Sequence, residues 1–381
     1  MEPILECCCG MDVHKDKIEA CILRSGMEAP IRETFGCIPS ELKRLCTWLG
    51  SYDCRHFAME STGVYWMPVY EQIESSCLHD QLYVVNAHEI RNLPGRKTDV
   101  KDAEWIAQLL QCGLLHNSFI PERDIRFMRE VSRTRRKTVG ERSSLMNHLE
   151  KYLQMHGFKF SSVFSSITVA SCQKLIRRLA DKGSLDGSDI HECWNGRLRS
   201  VPSEIYAAVN GELSEKERLM LSYHLNRIDE LSRHIDELTR MLSCSFEEYA
   251  VAVEIAKSIP GINSDSAMEI LAEISPAPQK AFSSSQKLCK WAGVTPRNDE
   301  SAGVIKSRRT LHGNPYVKSI LVQCAWAAVK TRGSVFKNWF WAKQAQIGRK
   351  KAIVAIAHKI LSLLYTLLSR HEFYSAPVLT R

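Results

Sequence analysis

The chain has 381 residues, of which 44% are hydrophobic and 25% charged, with a formal net charge of +8. That is the composition of an ordinary soluble globular protein, long enough for two or three domains with real cores. Its 14 cysteines are scattered without a C-x-x-C pair, which speaks against a structural zinc site or a disulfide scaffold and for reduced, buried thiols in a cytosolic protein.

MEPILECCCG has no basic segment ahead of an apolar core, so no signal peptide is expected. Residues 4–120 alternate strand and helix. ILECCCGMDV reads as a strand, KIEACILR as its hairpin partner, and ETFGC as part of a third. HFAMES gives a fourth strand, followed by a helix through VYWMPVYEQIESS; QLYVVNA gives a fifth, and DAEWIAQLLQ opens the next helix. Three meandering strands and then strand–helix–strand–helix is the order of a ribonuclease-H-like α/β domain. Four carboxylates stand at its key points. Asp12 ends the first apolar run, Glu60 ends HFAME, and Asp99 and Asp102 lie three apart in KTDVKDAEW, on one face of a helix. Acids at strand ends and at a helix start can converge. Crowded carboxylates repel unless cations lie between them, and two Mg²⁺ ions held this way serve phosphoryl transfer. Taken singly, each acid reads as a surface or capping residue, and Asp99 or Asp102 could cap the following helix. His14, Lys15 and Asp16 read as solvated turn residues.

Residues 121–250 are helical. Arg123 to Arg142 carries eight basic residues, among them Arg133, Arg135, Arg136 and Lys137, against three acidic ones. This is either a solvated face or a nucleic-acid surface. Leu221, Leu225, Ile228, Ile235, Leu238 and Leu242 form an apolar stripe interrupted at Ser232. It fits an antiparallel hairpin within the chain and a coiled coil between subunits equally well. Residues 251–372 form the third region, mainly helical. SIPGINSDSAMEILAEI resembles one helix-hairpin-helix, whose turn either presents N–H groups to a phosphate or simply packs. From Ser301 to His371 there is no Asp or Glu but 13 Lys or Arg, a distribution that attracts a polyanion. AIVAIAHKILSLLYTLL is short and interrupted by His358 and Lys359, so it reads as a buried helix and not as a membrane span. Ser301, in the loop PRNDESAGVIKSRR, is followed by Lys306, Arg308 and Arg309, cations suited to a scissile phosphate. Residue types alone do not choose it over Ser307 or Ser283 to Ser285.

KTDVKDA, the strand-end Asp12 and Glu60 in FAMESTGVYW resemble the RuvC-like DEDD domain of the insertion-sequence-110 transposases. SIPGI, FSSSQKLCKWAGVTPR, ESAG and HGNPYVKSIL resemble that family's C-terminal transposase domain. The resemblance implies a RuvC-like catalytic domain at 4–120, a helical coiled-coil connector at 121–250 and a C-terminal domain at 251–372 that supplies a serine nucleophile. It implies Mg²⁺, as two ions, on Asp12, Glu60, Asp99 and Asp102, and a covalent phosphoserine intermediate at Ser301. It further implies DNA as substrate, a structured noncoding guide RNA, a dimer or tetramer, and a bacterial cytoplasmic enzyme that joins the nucleoid through DNA. Arg133, Arg135, Arg136, Lys137, Arg297, Lys306, Arg308, Arg309 and Lys318 are the expected nucleic-acid contacts. Two rivals remain: a Holliday-junction-type Mg²⁺ nuclease with water as nucleophile, and an inactive nucleic-acid-binding scaffold.

Overall fold

The computed structural model describes the chain except residues 1, 2, 62, 77, 88, 89, 91–101, 197, 298, 302, 303, 308 and 376–381, and gives the backbone alone for 299–301 and 304–306. It divides into two compact units, Met1–Ile120 and Pro121–Arg381.

The first unit is built on a five-stranded mixed sheet of order β3-β2-β1-β4-β5, with β1 Cys7–Val13, β2 Lys17–Arg24, β3 Ile31–Gly36, β4 His56–Glu60 and β5 Gln81–Val85. β1 runs antiparallel to β2 and parallel to β4, and β4 runs parallel to β5. The central strand is buried on both faces, which explains its unbroken apolar run. Cys9, Met11, Phe57 and Met59 point to one face, covered by α1 Pro39–Ser51 and α2 Trp66–Ser76. Cys8, Ala58 and Val85 point to the other, covered by α3 Asp102–Gln111 through Ile106, Leu109 and Leu110. Adjacent cysteines thus serve opposite cores. Burial pushes the Cys8 thiol up to about 12 and Cys9 well above its ordinary value, so both act as small apolar side chains.

In the second unit, α4 Arg123–Met155 and α5 Glu215–Ser245 pack along each other. Arg135 Nε donates to Thr239 Oγ1 at 2.7 Å, Arg142 to Ser232 Oγ at 3.4 Å and Tyr152 Oη to the Glu217 carbonyl at 2.8 Å. Rising numbers on one helix meet falling numbers on the other, so the pair is antiparallel within one chain. The apolar stripe of α5 finds its partner in α4, and the break at Ser232 faces an arginine. Ser214 caps α5 in a reciprocal box with Glu217, as the spacing S-x-x-E predicts. Shorter helices between α4 and α5 close a core of Leu149, Leu153, Phe160, Leu175, Leu179 and Leu225.

Among the described residues six further α-helices follow: α6 Ala250–Ser258, α7 Ser264–Ile274, α8 Ser285–Trp291, α9 Pro315–Lys330, α10 Val335–Ile347 and α11 Arg349–Arg370. The regions 121–250 and 251–372 share one unit because α4 packs on both α5 and α7. Among the described residues α11 is the one helix with the length and apolarity to cross a membrane. Ile353, Ile356, Ile360, Leu361 and Leu364 are instead buried in this unit's core, against α8, α9 and α10. The Pro-Gly turn between α6 and α7 has a packing role: a Cβ on Gly261 would lie 2.4 Å from the Cys324 carbonyl oxygen and 2.5 Å from the Ala328 nitrogen. That turn is pressed on α9, in line with the packing reading of the two that its sequence allows.

The basic stretch of α4 also has internal work. Glu273 is 2% exposed and lies in α7. Arg133 grips it with two bonds of 2.7 and 2.9 Å, Arg129 Nε stands 3.5 Å away, and Asn314 Nδ2 donates to it at 2.6 Å. Burial brings the Arg129 guanidinium down to about 10, with Glu273 opposing that shift. Truncating Glu273 leaves two arginines facing a buried gap. Glu273→Ala is expected to destabilise the protein by about 3–5 kcal/mol, as loss of one partner from a buried pair does. A urea unfolding midpoint within error of wild type would show that the network contributes nothing.

Candidate metal and phosphoryl-transfer site

Strand alternation places Cys8, Gly10 and Asp12 on the same face of β1, and His56, Ala58 and Glu60 on the corresponding face of β4. Gly10 pairs with Ala58 and Met11 with Met59 in the parallel register. One step further, Asp12 and Glu60 therefore stand side by side at the carboxyl ends of neighbouring parallel strands, where α/β sheets bind ligands. Asp102 arrives from above. α3 crosses this face so closely that a Cβ on Gly10 would sit 2.3 Å from both the Ala103 carbonyl oxygen and the Ala107 nitrogen. Cys8 Sγ donates to the Ala107 carbonyl at 3.4 Å. Only glycine admits the helix at this depth, and the first turn of that helix carries Asp102.

The electrostatics agree with this convergence. Burial raises the Asp12 carboxyl above its ordinary value, His14 opposes the rise, and the charges of Asp102 and Glu60 add to it. His14 Nε2 lies 3.0 Å from Asp12 Oδ2, so this exposed turn residue also reaches Asp12. Glu19 is the cross-strand partner of Asp12 and is paired with Lys17 at 2.8 Å. Residue patterns did not single out Glu19, because its role follows from hairpin register alone. Asp99 lies outside the described residues.

Among the described residues, no three His, Cys, Asp or Glu side chains form a ready-made metal cage. The donor chemistry nonetheless suits a hard divalent cation. Asp12, Glu60 and Asp102 offer only carboxylate oxygens, and Mg²⁺ keeps waters and shares phosphate oxygens rather than requiring an all-protein cage.

In the second unit, Ser301 ends β6 Asp299–Ser301, which pairs antiparallel with β7 Val304–Ser307, and Ser301 faces Val304 across the ladder. The expected loop is thus a two-stranded ribbon. It continues from a paired base in which Arg297 N donates to the Arg309 carbonyl at 2.9 Å and Leu311 N to the Thr295 carbonyl at 3.1 Å. Asn314 follows that base, capping α9 by accepting from Tyr316 N and Val317 N while its Nδ2 donates to Glu273. Lys318 donates to Thr310 Oγ1 at 2.6 Å. Arg308 lies outside the described residues, and Lys306 is described by backbone only.

The expected nucleic-acid contacts on α4 divide. Arg135 has a side chain 13% exposed and pairs with Asp265 and with Glu269 at 2.9 Å, so it ties α4 to α7. Arg133 is held by Glu273, and Arg136 bonds the Tyr316 carbonyl and Ser319. Lys137 is exposed. A groove of about 460 Å³ is lined by Arg133, Thr134, Arg136, Lys137 and Tyr316. The stretch is thus largely structural, with a cationic edge.

Residues 9–157 match the family model DEDD_Tnp_IS110, described as a transposase, and residues 253–340 match the transposase family IS116/IS110/IS902. The first match spans all four acids and the second spans Ser301 and Glu273. No curated protein matches the chain.

Two outcomes follow for the acids. Mg²⁺ should raise the thermal midpoint of the wild-type protein by mass action, and Asp12→Asn should remove most of that rise; an undiminished rise would place the bound ion elsewhere. Gly10→Ala should destabilise by about 1–3 kcal/mol, as overpacking does, and weaken the Mg²⁺ response with every acid still present.

Proposed function

The chain belongs to the IS110 family of transposases, and from that premise we propose that it cleaves, exchanges and rejoins DNA strands through a metal-binding acid site and a serine nucleophile. The observation that supports the reading is the register that sets Asp12 beside Glu60, with Asp12 half-buried and the charges of Asp102 and Glu60 felt there. The strand order and the antiparallel and parallel pairings of β1 support a ribonuclease-H-like, RuvC-like identity for this unit.

Asp12, Glu60, Asp99 and Asp102 would hold Mg²⁺, as two ions. Bound there, the metal supplies charge neutralisation at the scissile phosphate and at the attacking and leaving oxygens. Ser301 Oγ gives up its proton and attacks phosphorus. The Oγ–P bond forms as a sugar P–O bond breaks, and the departing sugar oxygen takes a proton. The hydroxyl of the exchanged strand then attacks the phosphoserine, releasing Ser301 and restoring a phosphodiester. No external energy source is required, because one ester replaces another at each step. Arg297, Lys306, Arg308, Arg309 and Lys318 would steady the phosphates around the serine.

Two DNAs must be cut and joined together, so the working form would be an assembly of at least two copies. Sequence choice would rest on a noncoding RNA that pairs with the DNA, while the protein reads backbone and shape. The basic, acid-free stretch from Ser301 to His371 suits both polyanions. In this reading the enzyme works in the bacterial cytoplasm on nucleoid DNA.

Ser301→Ala and Asp102→Ala test the mechanism separately. Wild-type protein incubated with element-end DNA and Mg²⁺ should yield a denaturation-resistant protein–DNA adduct. Ser301→Ala should yield none and should not exchange strands. Asp102→Ala should lower adduct formation by orders of magnitude while duplex DNA still binds. Continued Mg²⁺-dependent cutting by Ser301→Ala, without adduct, would establish a hydrolytic nuclease instead.

A further inference from the structure

Helix α10 buries Phe336 and Phe340 toward α9 and α11 but leaves Trp341 58% exposed. The indole is not loose. Its ring meets Phe340 edge-on, with centroids 5.7 Å apart and planes at 78°, and Phe340 in turn meets Trp326 at 5.7 Å and 64°. Arg349, at the start of α11, stands over the Trp326 ring at 4.9 Å. A row of aromatics anchored in the core therefore ends in one broad, water-facing indole. Lys337 is exposed one helical turn before Trp341, on the same face. Lys350 and Lys351 are exposed where the next helix begins. The surrounding sequence from Ser301 to His371 carries no acid that would neutralise them.

An apolar protein partner would not need so many cations, and a duplex keeps its base faces stacked and out of reach. A water-facing aromatic packed on a core phenylalanine, with exposed lysines on its own helix and at the start of the next, suits an unpaired base flanked by phosphates. We propose that Trp341, with Lys337, Lys350 and Lys351, forms a stacking platform for single-stranded DNA. The inference rests on the preceding reading only in taking DNA as the partner. Strand exchange leaves DNA unpaired between cleavage and rejoining, and this surface would hold that strand. It assigns no catalytic role to Trp341.

The test is equilibrium binding by the full-length protein of an oligothymidylate, the matching oligouridylate and a duplex of equal length, at several salt concentrations. Trp341→Ala should weaken oligothymidylate binding about tenfold or more, within the range that base–aromatic stacking contributes, and should change duplex binding less than about twofold. Trp341→Phe should recover most of the loss. Lys350→Ala should weaken both DNA forms and flatten the salt dependence by roughly one phosphate contact. An exposed residue should not carry the fold, so the thermal midpoint should stay at the wild-type value. Equal oligothymidylate binding by wild type and Trp341→Ala overturns the platform, even if self-association or vesicle binding is lost instead. A clear preference of Trp341 for the oligouridylate overturns DNA as its ligand. Failure of the wild type to bind any of the three would overturn the nucleic-acid enzyme itself, a result distinct from failure of the platform.

Discussion

One buried carboxylate joins the helices of the larger unit at the point where α4, α7 and α9 meet. Glu273 sits where three parts of the chain must meet: the arginine-rich helix α4, its own helix α7, and the turn that starts α9. A lone charge there would be intolerable. Arg129, Arg133 and Asn314 make it tolerable, and each reaches it from a different stretch of sequence or a different turn of helix. Arg135 repeats the device one turn further along, with Asp265 and Glu269. Ion pairs of this kind bring modest net stability against an apolar alternative, but they are demanding about geometry. Their effect is to fix which turn of α4 lies against which turn of α7. Because Asn314 is both a ligand of Glu273 and the cap of α9, the same carboxylate fixes where the ribbon bearing Ser301 returns to the helical core.

The smaller unit depends on an absence rather than on a charge. Gly10 has no side chain, so α3 lies directly on the central strand. Two residues further along that strand Asp12 emerges on the same face, beside Glu60, beneath the turn that carries Asp102. Burial first, and the charges of Asp102 and Glu60 after it, raise the affinity of Asp12 for its proton, against the opposing effect of His14. A chain folded only for stability would avoid such a cluster. Holding it there makes chemical sense when the charge is to be met by something that arrives from outside.

Much of this could be read from the amino acids, and the rest could not for definite reasons. The strands, the faces of Cys7 to Cys9, the capping box at Ser214 and the positions of Asp12 and Glu60 all follow from periodicity and turn chemistry, which are local. The stripe on α5 announced a partner without naming it, because an apolar seam looks the same whether its partner is the same chain or another. The arginines of α4 show the same limit. A run of cations looks like a polyanion site until its acids are found, and Asp265, Glu269 and Glu273 lie over a hundred residues away. Glu19 is not visible in the sequence pattern because only the hairpin register brings it beside Asp12. Gly10 was open to notice: a glycine inside a run of buried cysteines and methionine asks what backbone comes close.

The polar steps in the long antiparallel pair, Arg135 against Thr239 and Arg142 against Ser232, have a consequence for how such a chain can change over generations. An apolar seam tolerates sliding by a turn, since leucine replaces leucine. A seam with two such arginines does not, because a slide of one turn takes both guanidiniums away from their hydroxyl partners. Lengthening one helix alone between these points would therefore break the match, whereas adding matched turns to both beyond them would leave it undisturbed. The pair works as a ruler with two engraved marks, and its length is adjustable only in steps that both helices take together.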